Sequence, residues 1–103
     1  EAKLGFYRQG KYEPIQIDEP VEIVSCVGNI SLKEEEELVV HAHISVSDEK
    51  GKVLGGHVLL GCIVAATAEL ILVEAVDVKL QRKFDEKTKL YLWSFDADAQ
   101  KCA

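Results

Sequence analysis

The ten residues from Leu38 to Ser47 constrain the fold of this chain more than any other segment. Apolar and polar side chains alternate strictly along them. One face carries Val40, Ala42, Ile44 and Val46, and the other carries Val39, His41, His43, Ser45 and Ser47. A period of two predicts a β-strand with one apolar face and one polar face.

The residues after this strand predict a hairpin. The polar sequence Asp-Glu-Lys-Gly-Lys follows, and apolar residues resume at Val53. A three-residue loop usually ends in a residue with positive φ, and Gly51 suits that position. The loop is then Glu49-Lys50-Gly51, and a second strand returns beside the first.

The hairpin brings together the three histidines of the chain. If Asp48 opposes Lys52, the same register places His43 opposite His57. His41 lies two residues from His43 and projects from the same face. Directly opposed residues have β-carbons about 4.5 to 5.5 Å apart and point to one side of the sheet. Three imidazoles are therefore predicted to converge on one patch.

Such a patch suits a metal ion. Zinc binds neutral imidazole nitrogens at about 2.0 to 2.1 Å, and three histidines with one open position recur in catalytic zinc sites. Nickel, copper and ferrous iron accept the same ligands. We predict a divalent metal, zinc in the first instance, on His41, His43 and His57. The fourth ligand is open between water, a substrate and a side chain of a neighbouring subunit. A His-x-His pair alone is more often two solvated histidines, so the third ring carries the prediction.

Neighbouring residues bear on this patch. Gly55 and Gly56 precede His57 and allow the backbone to bend, which either aims the third ring or changes the register. The hydroxyls of Ser45 and Ser47 share the histidine face and could orient a ring or a metal-bound water.

The later part of the chain predicts its secondary structure less clearly. Residues 61–75 mix helix formers with β-branched residues and are apolar on both faces, so their pattern fits a central strand or a buried helix. Residues 84–88 indicate a turn or one helical turn, and residues 89–95 indicate a final strand.

Composition narrows the function classes. The 103 residues, 48% apolar and 29% charged, predict one soluble domain spanning 1–103. The net charge is −6 and arginine occurs only at Arg8 and Arg82, which argues against direct nucleic-acid binding. No apolar run reaches the roughly 18 to 20 residues of a membrane helix.

We expect a cytoplasmic protein, because the chain opens without a leader pattern and its three cysteines form no CxxC. Cys26 and Cys62 are expected to be buried.

Several motifs together resemble one family. The segments are Val40-His41-Ala42-His43-Ile44-Ser45-Val46, Gly55-Gly56-His57, Glu22-Ile23-Val24-Ser25-Cys26-Val27-Gly28-Asn29 and Gly61-Cys62-Ile63-Val64-Ala65-Ala66-Thr67-Ala68-Glu69. On these segments the chain is similar to the plants-and-prokaryotes-conserved (PPC) domain family, from about Leu4 to Trp93.

The resemblance implies a compact α/β domain of the α+β type, built on a mainly antiparallel sheet, with mostly β-strands in this chain. It further implies a homotrimer, a strand over residues 63–73, and a metal at His41, His43 and His57 as in some prokaryotic members. The family's N-terminal strand and helix have no counterpart before Leu4. We expect that portion either to be missing from this chain or to be absent from an unusually short domain.

Three functions follow from these expectations. The first is a trimeric binding module with a three-histidine metal site, which the sequence favours over a catalyst. The second is a small metal-dependent hydrolase with a metal-bound water as the nucleophile. The third is a DNA-associated regulator, by analogy with plant members that carry AT-hooks. The Arg-Gly-Arg-Pro hook is not found in this sequence, so the DNA analogy has no motif here to rest on.

Overall fold

The structure is a computed structural model that describes residues 1–95. Its seven strands are β1 (Ala2–Arg8), β2 (Lys11–Ile17), β3 (Glu22–Leu32), β4 (Leu38–Ser47), β5 (Val53–Val58), β6 (Gln81–Asp85) and β7 (Leu90–Ser94). A 3-10 turn, Glu34–Glu36, separates β3 from β4. Residues 1–95 contain no α-helix, and so none that could cross a membrane. The predicted predominance of strands is confirmed, whereas the helical part of the predicted α/β class is not found in these residues.

The strands belong to one mixed sheet. They are hydrogen-bonded in the order β2-β1-β5-β4-β3-β6-β7. The pairs β1–β2, β1–β5, β4–β5 and β6–β7 are antiparallel. The pair β3–β6 is parallel and is joined where Leu32 meets Gln81. The predicted mainly antiparallel arrangement is therefore confirmed.

The described chain forms two compact units, and the histidines belong to the first, which comprises Glu1–Asn29 and His41–Glu69. Its core is small and consists of Ala2, Leu4, Ile17 and Val46. Leu4 and Val46 are fully buried. Because side chains alternate along β4, Val46 faces this core while His41 and His43 project from the opposite face.

A two-residue turn joins β1 to β2. Gln9 and Gly10 both have positive φ, 49° and 85°. Such turns follow the right-handed twist of the strands that they connect. β2 lies at one end of the strand order and contains Pro14, a residue that sheets accept on an edge strand.

The second unit comprises Ile30–Val40 and the described residues from 70 onward. Arg82 is buried in this unit. Its Nε donates to Ser31 Oγ at 2.8 Å and its Nη1 donates to the Tyr91 carbonyl at 3.0 Å. The guanidinium lies 4.1 Å from the centre of the Trp93 ring. The predicted final strand and the turn before it are confirmed as β7 and the β6–β7 connection.

The strand expected over residues 63–73 is wrong, because residues 59–80 form no strand or helix. The apolar side chains at its end are exposed, with Ile71 at 91% and Val73 at 89%. β-branched residues favour a strand only where a neighbouring strand pairs with the backbone. The expectation of buried cysteines is also wrong, since Cys26 and Cys62 are both exposed.

Candidate metal centre

The β4–β5 hairpin has the predicted register. His43 pairs with His57, and the pairing continues to Ser47 and Val53. The loop is held by one carboxylate: Asp48 Oδ1 accepts hydrogen bonds from the backbone N–H groups of residues 50 and 52, both at 2.9 Å. The predicted positive φ at the end of the loop is also present, 78° at Gly51.

The two glycines before His57 bring the strands together and do not bend them. The pairing runs through Gly55 and Gly56 without a bulge, so the register is intact. A β-carbon on Gly55 would lie 2.7 Å from the Ile44 carbonyl oxygen, and one on Gly56 would lie 3.0 Å from the Gly5 carbonyl oxygen. A β-carbon at residue 55 would thus collide with the backbone of β4, and one at residue 56 would press on the backbone of β1, so close approach on both sides of β5 favours glycine.

The three imidazoles form a nearly equilateral triangle. The ring centroids of His41 and His43 are 5.2 Å apart, those of His41 and His57 are 5.2 Å apart, and those of His43 and His57 are 5.3 Å apart. One nitrogen of each ring lies within 4.8 Å of the nitrogens of the other two. The structure thus brings together all three residues that the sequence singled out.

This spacing fits a tetrahedral metal ion. Three imidazoles that bind zinc at about 2.0 to 2.1 Å have ring centroids about 5.2 Å apart and nitrogens about 3.4 Å apart. The observed centroids already have that spacing. The nitrogens, which lie within 4.8 Å of one another, would have to come closer to bind one ion. The residues therefore fit the group that the sequence predicts.

The His57 side chain is half-buried, as is that of His41. The Nδ1 of His57 is buried and has no hydrogen-bond partner among the described residues. The pKa of His57 is lowered, first by burial and then by the positive charges of protonated His41 and His43. Neutral imidazole is the form that binds a metal, so this environment favours the ligating state near neutral pH. His43 is exposed, which leaves the triangle open to solvent on one side.

Two other residues define the surroundings. Ser47, expected to orient a ring or a bound water, donates its hydroxyl to the Asp48 carbonyl at 3.2 Å and serves the turn. Tyr12, which the sequence did not single out, stacks on His57 with the centroids 4.2 Å apart and the planes at 17°. The turn at Gln9 and Gly10, flanked by Tyr7 and Tyr12, is the signal that could have placed a hairpin here.

Fold and site together define a small β-sheet protein that presents three histidines as a candidate metal centre. Comparison with known families is in accord with this description, since residues 1–76 match the Plants and Prokaryotes Conserved (PCC) domain. The chain belongs to this family, which is the one abbreviated PPC above.

Solved structures share the fold. A metal-containing protein from Archaeoglobus fulgidus is 31% identical, with a TM-score of 0.64 over 91% of this chain and 66% of that chain. A PPC protein from Pyrococcus horikoshii is 31% identical, with a TM-score of 0.69 over 91% of this chain and 64% of that chain. This chain thus spans slightly less than two thirds of each of these proteins.

Two curated relatives match locally, and both are bifunctional proteins GlmU from strains of Synechococcus. Each is 37% identical over 49 residues, which are 48% of this chain and 8% of that protein. The likeness is confined to a small part of GlmU.

Proposed function

We propose that this protein is a homotrimeric PPC-domain protein that binds one divalent metal ion per chain, zinc or a zinc-like ion, through His41, His43 and His57. The observation that carries the proposal is the triangle of ring centroids, with sides of 5.2, 5.2 and 5.3 Å. The buried Nδ1 of His57, which lacks a hydrogen-bond partner among the described residues, adds support. A buried polar atom without a partner is costly, and a ligand could satisfy it.

The relatives add a second line of support. The Archaeoglobus fulgidus protein is described as containing metal. It is 31% identical, over 91% of this chain and 66% of that protein, and we extend the same property to this chain as part of the proposal. A bound divalent ion can polarise an oxygen ligand or lower the pKa of a bound water. We favour a binding module over an enzyme, because the residues identified at this site are metal ligands and none has been identified as a general base.

The metal proposal is tested by elemental analysis of untagged protein beside His43→Ala. We expect about one metal per wild-type chain and its loss in the variant, because two imidazoles hold a divalent ion far less firmly than three. Glu49→Ala, in the exposed turn of the same hairpin, is the matched control and should keep the metal. Wild-type protein without metal, even after reconstitution at about pH 7.5 where imidazole is neutral, would contradict the proposal.

The trimer is supported by exposed apolar surface as well as by the family resemblance. Side chains of 70–73 are exposed by 75 to 91%, and monomeric proteins rarely expose large contiguous apolar patches. Sedimentation equilibrium should give three chains per particle with and without metal. A monomer at all concentrations would refute the trimer and leave the metal proposal standing.

The proposal includes no direct contact with DNA. The net charge of −6 opposes phosphate-driven association. We expect no retention of duplex DNA at low salt. Retention that falls steeply as salt rises would instead favour the DNA-associated regulator.

A further inference from the structure

The strand register leaves an open slot beside His57. Gly5 on β1 pairs with His57 on β5, and Tyr7 on β1 pairs with Tyr12 on β2. Because side chains alternate along a strand and opposed residues share a face, all four lie on the histidine face of the sheet. Gly5 has no side chain, so the surface between β2 and β5 is open above it.

The ring of Tyr12 fills this slot. A β-carbon on Gly5 would lie 3.0 Å from Tyr12 Cδ1, 3.2 Å from Tyr12 Cβ and 3.3 Å from Leu59 Cδ1. The tyrosine side chain therefore rests directly on the Gly5 backbone. Aromatic rings commonly cover glycines in sheets in this way. Because the Tyr12 ring lies over Gly5, it crosses β1 and contacts the His57 ring.

The contact between Tyr12 and His57 is a parallel stack. The centroids are 4.2 Å apart and the ring planes differ by 17°. By contrast, His57 meets His41 at 41° and His43 at 81°, geometries in which rings do not lie flat against each other. The tyrosine ring is therefore the flat surface against which the imidazole plane is set.

Metal-binding histidines are usually oriented by a hydrogen bond to the second ring nitrogen. The His57 side chain makes no such hydrogen bond among residues 1–95, and its Nδ1 is buried without a partner. No hydrogen bond at this atom fixes the rotation of the ring. The stack on Tyr12 supplies a restraint of a different kind, through van der Waals contact and aromatic electrostatics.

We propose that Tyr12, seated on Gly5, is a positioning residue of the candidate metal centre and sets the plane of the His57 imidazole for ligation. This inference rests on the proposed metal-binding function. It assigns two roles outside the histidine hairpin: a ring that orients one ligand, and a glycine whose missing side chain makes room for that ring.

The first test is made on metal-free protein by NMR. Stacking on an aromatic ring shifts the carbon-bound protons of His57 upfield. We expect Tyr12→Phe to keep this shift, because the ring remains, and Tyr12→Leu to lose it. Gly5→Ala should reduce it with Tyr12 intact, because the new β-carbon would lie 3.0 Å from Tyr12 Cδ1 and would push the ring slightly outward. Phe84→Leu, which removes an aromatic ring from the other compact unit, is the control and should leave the shift unchanged.

The second test is zinc affinity, measured by competition with a chelating dye. We expect Tyr12→Leu to weaken zinc binding on the order of tenfold, as is typical when a group that orients a ligand is removed. Gly5→Ala should weaken it by less, because the added β-carbon shifts the tyrosine ring without removing it. Tyr12→Phe should restore the wild-type value. The double variant Gly5→Ala/Tyr12→Leu should bind zinc no more weakly than Tyr12→Leu alone, because both changes act on the same stack.

The outcomes separate this inference from the function on which it rests. Wild-type affinity in Tyr12→Leu would overturn the positioning role while the metal proposal stood. Equal losses in Tyr12→Phe and Tyr12→Leu would overturn it too, by assigning the effect to the hydroxyl. If wild-type protein bound no zinc, the proposed function would fail, and an unchanged His57 shift in metal-free Tyr12→Leu would independently refute the stack.

Discussion

Val46→Ala should lower the free energy of unfolding by about 2 to 3 kcal/mol. Val46 is 2% exposed and lies in the core with Ala2, Leu4 and Ile17. The substitution removes the equivalent of two methylene groups, each worth about 0.8 kcal/mol of transfer free energy. The space left behind adds about 1 kcal/mol if the surroundings do not collapse into it.

Val40→Ala is the matched control. It makes the same chemical change on the same strand and on the same face as Val46, but Val40 is 69% exposed. We expect a loss of about 0.5 kcal/mol or less, as for most surface substitutions. The difference between the two variants therefore isolates burial from strand propensity.

The assay is urea unfolding of metal-free protein, followed by far-UV circular dichroism at two protein concentrations. Two concentrations are needed because an assembly interface makes apparent stability depend on concentration. Equal losses for Val46→Ala and Val40→Ala at the lower concentration would refute the placement of the core. A loss below about 0.5 kcal/mol for Val46→Ala would do the same.

Three further predictions concern the hairpin and its histidines. Gly55→Ala should cost about 1 to 3 kcal/mol, because its β-carbon would lie 2.7 Å from the Ile44 carbonyl oxygen; unchanged stability in urea would contradict that close approach. Because the folded-state pKa of His57 lies below its usual value of 6.5, the unfolded chain binds more protons between the two values. Stability of metal-free protein should therefore fall as pH drops through about 6.5 and level off below the folded pKa. Urea unfolding from about pH 8 to pH 5 tests this. His57→Gln should lose the part of the pH dependence that comes from His57, and a stability that rises as pH falls would contradict the prediction. Asp48→Ala should cost about 1 kcal/mol, because the carboxylate accepts two backbone hydrogen bonds in the turn; equal stability of Asp48→Ala, Asp48→Asn and wild type would count against this role.

The hairpin and its histidine register could be predicted from the sequence because both are local. Alternation over ten residues defines a strand, and a loop that ends at Gly51 fixes the pairing of the next one. Opposed residues in an antiparallel pair share a face, so the meeting of His43 and His57 followed from counting residues. The prediction of three neighbouring rings needed no information from elsewhere in the chain.

The other side of the site could not be predicted in this way. Periodicity within a segment does not say which distant strand will lie beside it, and Gly5 pairs with His57 across more than fifty residues. Tyr12 reaches His57 only because β1 lies between β2 and β5 in the strand order. The prediction of a strand over residues 63–73 failed for a related reason. β-branched composition favours a strand but cannot supply the neighbouring strand that a sheet requires.

Pro14 has a consequence for how this sheet meets other molecules. β2 ends the strand order, and Pro14 pairs with Gly5 on its inner side. Proline lacks an N–H and is accepted in a sheet only where its nitrogen faces away from the neighbouring strand. Its nitrogen therefore faces the outer edge of β2, where an incoming strand would need a donor. An added strand would leave one of its carbonyl groups without a hydrogen-bond donor at Pro14. This edge therefore disfavours open-ended polymerisation by strand addition.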